Sequence, residues 1–361
     1  MKFVDEYRNA GLISDLARKI NREASGSYKF MEVCGGHTAA IHRFGIRSLL
    51  NSSIELLSGP GCPVCVTGTG FIDKLLFLSG SQKNIIATFG DLIRVPGSAS
   101  SLERQRASGA DVRMVFSPLD ALQIAIREPE RAVIFPAIGF ETTAPGTAAT
   151  VIEAAKLDVR NFYVLCAHKV MPPAMELLLK DGTAVNGFIC PGHVATVTGS
   201  SVFDFIPARY GIGCVVTGFE PVDILQSVEM LVMQVNVNKP GVMIQYRRAV
   251  TEKGNEIAQR CMSEVFETCD AWWRGFGTVT KGGLKIRSVF SRFDAEQLFD
   301  INVAESIDNK KCLCSEILRG SKIPSQCRLF SAGCDPENPV GACMVSSEGA
   351  CNTYYRYRYE R

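Results

Sequence analysis

The sequence predicts an α/β protein with two open, largely parallel-sheet halves facing a cleft, followed by a third, mostly helical or irregular part rich in cysteine. Three observations carry this. Between about residues 29 and 238, short apolar runs rich in β-branched and aromatic residues are each followed by a Gly/Pro turn and a helix-like stretch, the pattern of βα units in a parallel sheet. After Lys239-Pro240-Gly241 that pattern stops. Six of the 14 cysteines then fall in the final 50 residues, Cys312 to Cys351, against four histidines in the whole chain.

In chain order, the clearest units are IIATFGD (85–91), VRMVF (112–116) with the helix PLDALQIAI, and AVIFPAIGF (132–140) with the helix TAATVIEAAKL. NFYVLCAHK (161–169) follows with PPAMELLLK, whose prolines suit a helix's first turn. GFICPGHV (187–194) and CVVTGFE (214–220) with PVDILQSVEMLVMQV complete the series. These strands are too many for one small sheet, and the charged loop REPERA (127–132) reads as a joint between halves of about 100 residues each. The expected divisions are 29–128, 129–238, and a third domain of 1–28 with 239–361, where stretches such as GNEIAQRCMSEVFETCDAWW read as helix. The tail has too few large aliphatics for a core of its own, so a metal centre is the expected staple. Its aromatic, basic end, CNTYYRYRYER, reads as an amphipathic edge packed on its neighbours.

Composition excludes several classes. The 361 residues are 46% hydrophobic, which rules out a disordered or fibrous chain. Lys plus Arg total 39 and Asp plus Glu 37, a balance without the footprint of a nucleic-acid or anionic-membrane partner. The start MKFVDEYRNA carries both signs of charge, and no apolar run approaches the roughly 18 residues of a membrane span. A cytoplasmic protein is expected. In that reducing setting the cysteines serve better as metal ligands or redox thiols than as a disulfide framework.

Ligands of open α/β sheets bind beyond the carboxyl ends of the strands. Asp91, Glu141 with Thr142 and Thr143, His168 with Lys169, His193 and Glu220 all stand at such ends. Singly, each is an ordinary cap or turn former; together they suggest a lined cleft. Two cysteine motifs enter this frame. In CGGHT (34–38), paired glycines allow close backbone approach while Cys34 and His37 offer a thiolate and an imidazole, a soft donor set suited to iron or copper. The competing reading is a buried cysteine and a capping histidine. In GPGCPVC (59–65), Cys62 and Cys65 form a C-x-x-C pair, and with no second such pair to complete a zinc site, redox use is favoured.

The tail's Cys312, Cys314, Cys327, Cys334, Cys343 and Cys351 have no histidine beyond His193 to join them, so an all-thiolate site is expected. Their long spacings favour an iron–sulfur cubane over structural zinc, and six candidates for four places leave the ligand set open. Cys166, Cys190, Cys214, Cys261 and Cys269 read as small buried hydrophobes. No phosphate-binding glycine motif follows a strand, so nucleotide binding is unsupported.

With these motifs assembled, the chain resembles the HypD family of [NiFe]-hydrogenase maturation factors over nearly its whole length. The residues that carry the resemblance are MEVCGGHT (31–38), SGPGCPVCVT (58–67), TFGD with RVPGS (88–98), GADVRMVFSPLDAL (109–122), GFETT (139–143), HK with PPAM (168–175), PGHV (191–194), GFEPVDIL (218–225) and ENPVGACMVSSEGAC (337–351). Ala39 stands where many members have a second histidine, and Gly68 where a proline commonly follows CVT.

The resemblance implies two similar α/β domains and a third holding a [4Fe-4S] cluster on Cys312, Cys327, Cys334 and Cys351. It further implies that Cys34 is the ligand of a mononuclear iron, with His37 close by, and that Cys62 and Cys65 relay electrons as a thiol–disulfide pair. The implied job is a cytoplasmic scaffold, not a conventional turnover enzyme. With HypC, which supplies another thiolate, the scaffold holds an iron that receives one CO and two cyanide ligands before delivery to the hydrogenase large subunit. Cyanide comes from HypE, with HypF upstream. The alternatives are a free-standing iron–sulfur thiol–disulfide reductase and a zinc-stapled interaction protein.

Overall fold

Nine short parallel strands, almost all flanked by amphipathic helices, form two separate sheets in a computed structural model that describes residues 4–182, 184–304 and 309–357. The strands are β1 (Tyr28–Glu32), β2 (Ile54–Ser58), β3 (Asn84–Thr88), β4 (Val112–Met114), β5 (Ala132–Gly139), β6 (Phe162–His168), β7 (Gly187–Pro191), β8 (Gly213–Thr217) and β9 (Val242–Ile244). The inner strands are short apolar runs buried on both faces, as sheets covered by helices require, while the edge strands β4 and β9 are largely half-buried or exposed. Seven of the eight residues of β5, for example, are buried. Local chemistry sets the helices between them. Ser117 and Asp120 form a capping box ahead of Pro118–Arg127, and Asn255 accepts from the Ile257 and Ala258 amides to start Glu256–Val265.

The first sheet has the order β2-β1-β7-β8-β9 and the second β4-β3-β5-β6. Counted within each sheet, the first winds as 2-1-3-4-5 and the second as 2-1-3-4, so the two halves share one doubly wound topology. The expectation of two similar parallel-sheet halves holds, but the division near Glu128 does not. β1 pairs with β7 from Phe30↔Gly187 to Glu32↔Ile189, and β3 pairs with β5 across the supposed joint, from Asn84↔Ala132 to Ile86↔Ile134. The second half is an insertion between β2 and β7. The REPERA loop lies wholly inside it, tied by Arg131 to Asp111 at 2.7 Å and by the Asn161 amide to the carbonyls of Ala125, Glu128 and Arg131. Each βα unit is locally alike, and only the long-range pairing tells which sheet a strand joins.

The region after residue 239 also differs from expectation. β9 completes the first sheet, and FETCDAWW is not helix: Phe266–Trp273 forms β10, antiparallel to β11 (Gly277–Ile286). Its aromatic and β-branched residues outweigh the helical run-in. The described tail residues form no core of their own. Cys314, Ile317, Leu318, Cys343, Met344 and Cys351 join Val33, Cys62, Cys65, Cys190 and Trp273 in one buried cluster with the first sheet. The N-terminal helix Ala10–Glu23 likewise packs on Pro221–Asn236 and buries Ile20 against that sheet. Of the aromatic end 351–361, residues 351–357 are described, and Ala350–Arg356 is a helix docked on Gly35–Arg43. Among the described residues no helix is long and apolar enough to cross a membrane.

Candidate functional site

In each sheet the winding reverses once, between β1 and β7 and between β3 and β5. Such reversals open a crevice at the carboxyl ends, and here the two open toward each other. The cavity between them has a volume of about 520 Å³ and is lined by Cys34 after β1, Asp91 after β3, Thr142 and Thr143 after β5, His193 after β7, and Glu348 from the tail. A larger groove of about 1090 Å³ lies at the amino ends of the second sheet and holds none of the motif residues.

Cys34 leaves β1 extended, at φ −149° and ψ 124°, and caps the helix Gly35–Arg43. The Gly36 and His37 amides face its sulfur and favour a thiolate, yet burial dominates and, with Glu348 and Glu32 nearby, pushes the thiol up to about 12. The free thiol is therefore protonated at neutral pH, and a cation bound at the sulfur would displace that proton. Gly35 is sterically required, since a Cβ there would lie 2.6 Å from the Glu348 Cβ, and one on Gly36 would press on the Phe219 ring at 3.1 Å.

His37 does not share the cavity. It is fully buried, with Nε2 at 3.2 Å from the Thr217 carbonyl and 3.0 Å from that of Gly218. Two carbonyl acceptors place the proton on Nε2 and leave Nδ1, which has no protein partner, with its lone pair. Burial pushes the imidazole down to about 4, so it is neutral. Its ring stacks on Phe219 at 4.6 Å, and Phe219 stacks on His193 at 4.0 Å, a three-ring column behind the cavity wall.

Cys62 and Cys65 are joined as a disulfide with Cα atoms 5.2 Å apart, both buried, and the Cys62 sulfur accepts from the Cys65 amide. The preceding Gly-Pro-Gly turn presses on the Cys34 backbone. Gly61 accepts from the Gly35 amide at 2.9 Å, and a Cβ on Gly61 would lie 2.2 Å from the Cys34 nitrogen. On the disulfide's other side, the helix Pro63–Val66 packs against Ala342–Val345, which carries Cys343.

All six tail cysteines gather there. The Cys314 and Cys343 sulfurs lie 2.8 Å apart. Cys327, Cys334 and Cys351 are buried; burial, then the proximity of Cys314, Cys312, Cys334 and Cys327, pushes the Cys351 thiol well up. This buried, all-sulfur donor set fits an iron–sulfur cluster in chemistry. Among the described residues no three His, Cys, Asp or Glu side chains converge as a single ion would require.

Three residues expected in the cleft lie elsewhere. Glu141 is buried beneath it, accepting the Met171 amide at 3.0 Å, and burial pushes its carboxyl up to about 7. His168 is buried against Thr147, on the side of a separate pocket. Glu220 pairs with Arg8 and lines a separate pocket with Phe219, Tyr246 and Arg248. These strand ends point to other faces because successive residues of a turn fan outward. Cys190 and Cys214 are buried as expected, whereas Cys166, Cys261 and Cys269 are partly exposed.

Sequence reasoning missed two carboxylates. Glu32, a lone acid in the apolar run YKFME, is buried beside Cys34 and accepts from the Thr38 hydroxyl at 2.6 Å; burial pushes it up to about 8. Glu348 sits in SSEGAC, far from Cys34 in sequence. Gly68 also gains a reason: a Cβ there would lie 2.7 Å from the Trp272 indole, so this chain has a tryptophan where a ring at position 68 would sit.

The family model described as "Hydrogenase formation hypA family" (HypD) matches residues 11–358. The chain is 47% identical to a hydrogenase maturation factor HypD of Cupriavidus necator, over 99% of this chain and 97% of that one. It is 45% identical to the HypD of Azotobacter vinelandii over 100% and 98%, and 42% identical to that of Rhodobacter capsulatus over 99% and 98%.

Proposed function

Because this chain belongs to the HypD family and so has a role in hydrogenase maturation, we propose that it is the scaffold on which the iron of the active-site Fe(CN)2CO group is assembled. The observation that carries this reading is the order of the sulfur groups. The Cys62–Cys65 disulfide is wedged between Cys34, through Gly61, and the cysteine-rich tail, through Ala342–Val345.

In this reading the iron is cargo. Cys34 supplies one thiolate, with the Gly36 and His37 amides steadying its charge. A single protein thiolate leaves open positions for one CO, two cyanides and a second thiolate from HypC. Phe89, Ile138 and Phe140 keep the cavity wall apolar and limit water around the fragment. Asp91, Thr142 and His193 line it and orient the incoming groups. HypE, fed by HypF, brings the cyanide, and HypC carries the product to the hydrogenase large subunit in the cytoplasm.

A [4Fe-4S] cluster held by Cys312, Cys327, Cys334 and Cys351, with Cys314 and Cys343 adjacent, would supply one-electron transfers. The Cys62–Cys65 couple exchanges two electrons and two protons as its S–S bond breaks or forms. The alternative of a free-standing disulfide reductase is disfavoured by burial, since Cys62 is 3% and Cys65 0% exposed and neither meets an external protein disulfide.

The test is the infrared spectrum of the anaerobic complex with HypC. CO and cyanide stretches are expected in the native protein and absent in Cys34→Ala. Persistence of both stretches in that variant would sink the assignment of Cys34. Hydrogenase maturation that survives Cys34→Ala but not Cys62→Ala would favour the reductase.

A further inference from the structure

The turn between β10 and β11 carries a charged residue into the interior. Trp273 and Phe276 are buried, Gly275 and Gly277 adopt φ of +85° and +71°, and Arg274, between Trp273 and Gly275, is only 6% exposed. The Arg274 amide donates to the Val66 carbonyl at 2.7 Å, at the end of the helix that begins with Cys62-Pro63. Its guanidinium donates from Nε and Nη2 to the Thr67 carbonyl at 3.3 and 3.2 Å, and from Nη2 to the Thr69 hydroxyl at 3.1 Å. The same turn abuts the tail: a Cβ on Gly275 would lie 3.0 Å from the Cα of Ser315, the residue after Cys314.

We propose that Arg274 is a positioning residue that fixes a positive charge between the Cys62–Cys65 helix and the tail thiols, and by that charge favours the reduced state of the Cys62–Cys65 pair. The inference rests on reading that pair as a redox couple. The physical reason is a difference between states. The disulfide carries no charge, whereas adding two electrons breaks the S–S bond and leaves two thiolates, or two thiols once two protons follow. A cation held nearby stabilises the thiolate form of the reduced pair, as a lowered thiol pKa does, whereas the disulfide offers it no charge. Burying a guanidinium is costly unless it is bonded, and the Thr67 and Thr69 acceptors hold it in place.

The experiment equilibrates the full-length protein in dithiothreitol redox buffers and reads the Cys62–Cys65 state by thiol alkylation and mass spectrometry. Arg274→Gln is expected to lower the equilibrium constant for reduction about tenfold, a fall of about 30 mV for two electrons. Arg274→Lys, which keeps the charge, should stay within about threefold of the native protein, on the same scale. Thr69→Asp, which keeps the arginine and neutralises it from the hydroxyl's position, should shift the couple in the same direction as Gln. It serves as the deciding variant should Arg274→Gln fail to fold. Equal shifts in the Lys and Gln variants, or no shift in Gln or Asp, would overturn the role of the charge while leaving the couple intact. A native pair with no reversible two-electron transition would overturn the redox reading, and this inference with it.

Discussion

Gly61→Ala tests the closest contact at the site. The new Cβ would meet the Cys34 nitrogen at 2.2 Å and its Cα at 2.3 Å, where ordinary contact begins at 3.4 Å. Both partners are backbone, so no flexible side chain can yield, and the Cys34 and Cys62 loops must part by roughly 1 Å. Overpacking of this kind costs about 1–3 kcal/mol. At about 2 cal/mol/K per residue, unfolding entropy converts that to a fall of about 1–4 °C in melting temperature for a chain of this size. The functional loss should be larger, since a displacement of about 1 Å at a reacting group can cost on the order of 100-fold. Melting is followed by circular dichroism, and iron-site assembly by the infrared spectrum with HypC. Gly146→Ala is the control: its Cβ meets nothing within 4 Å in the helix Ala144–Lys156, so it should stabilise by up to about 1 kcal/mol. A Gly61→Ala protein that melts and assembles like the native one would refute the argument that Cys34 is positioned by contact with the Gly-Pro-Gly turn.

Cys327→Ala should lower both the iron and sulfide content and the melting temperature, because a cluster would supply folding energy to a tail without its own core; unchanged iron and melting would remove Cys327 from the ligand set. Glu32 has a folded-state value of about 8, above its usual range. The native state therefore binds the extra proton between the two values, and stability falls as pH rises from about 4.5 to 8. His37 and His42, lowered to about 4 and 3, act oppositely below about 6.5, where stability rises with pH. The Glu32→Gln minus native difference isolates the carboxyl: it should be near zero at pH 5 and favour the variant at pH 8.5, and a flat difference in chemical denaturation would contradict the assignment. Gly68→Pro has a suitable backbone at φ −69° but collides with Trp272, so it should destabilise by about 1–3 kcal/mol alone. Combined with Trp272→Ala it should become neutral or slightly stabilising; additive effects in the double-mutant cycle would dismiss the steric explanation.

Much of the site was legible because its motifs are local. CGGHT, GPGCPVC and the strand ends at Asp91, Thr142 and His193 carry their turn and ligand chemistry within a few residues. The same local logic misplaced Glu141, His168 and Glu220, since a polar residue at or just past a strand's end can face the cavity, the interior or another surface. It also could not find Glu348 or Arg274. Each reaches its place through a segment more than 200 residues away from its partner in the chain, Gly35 for the first and Thr67 for the second.

The sequence by itself determined the α/β class, the parallel character of both sheets and the family, because apolar periodicity, turn residues and motif spacing are properties of short segments. Only the tertiary structure decided that one sheet is inserted within the other, that the tail shares a core with the first sheet, and that the disulfide lies between Cys34 and the tail thiols. Those outcomes follow from which surfaces can be buried together. Pairing and packing energy depends on partners far apart in the chain, and no local pattern encodes it.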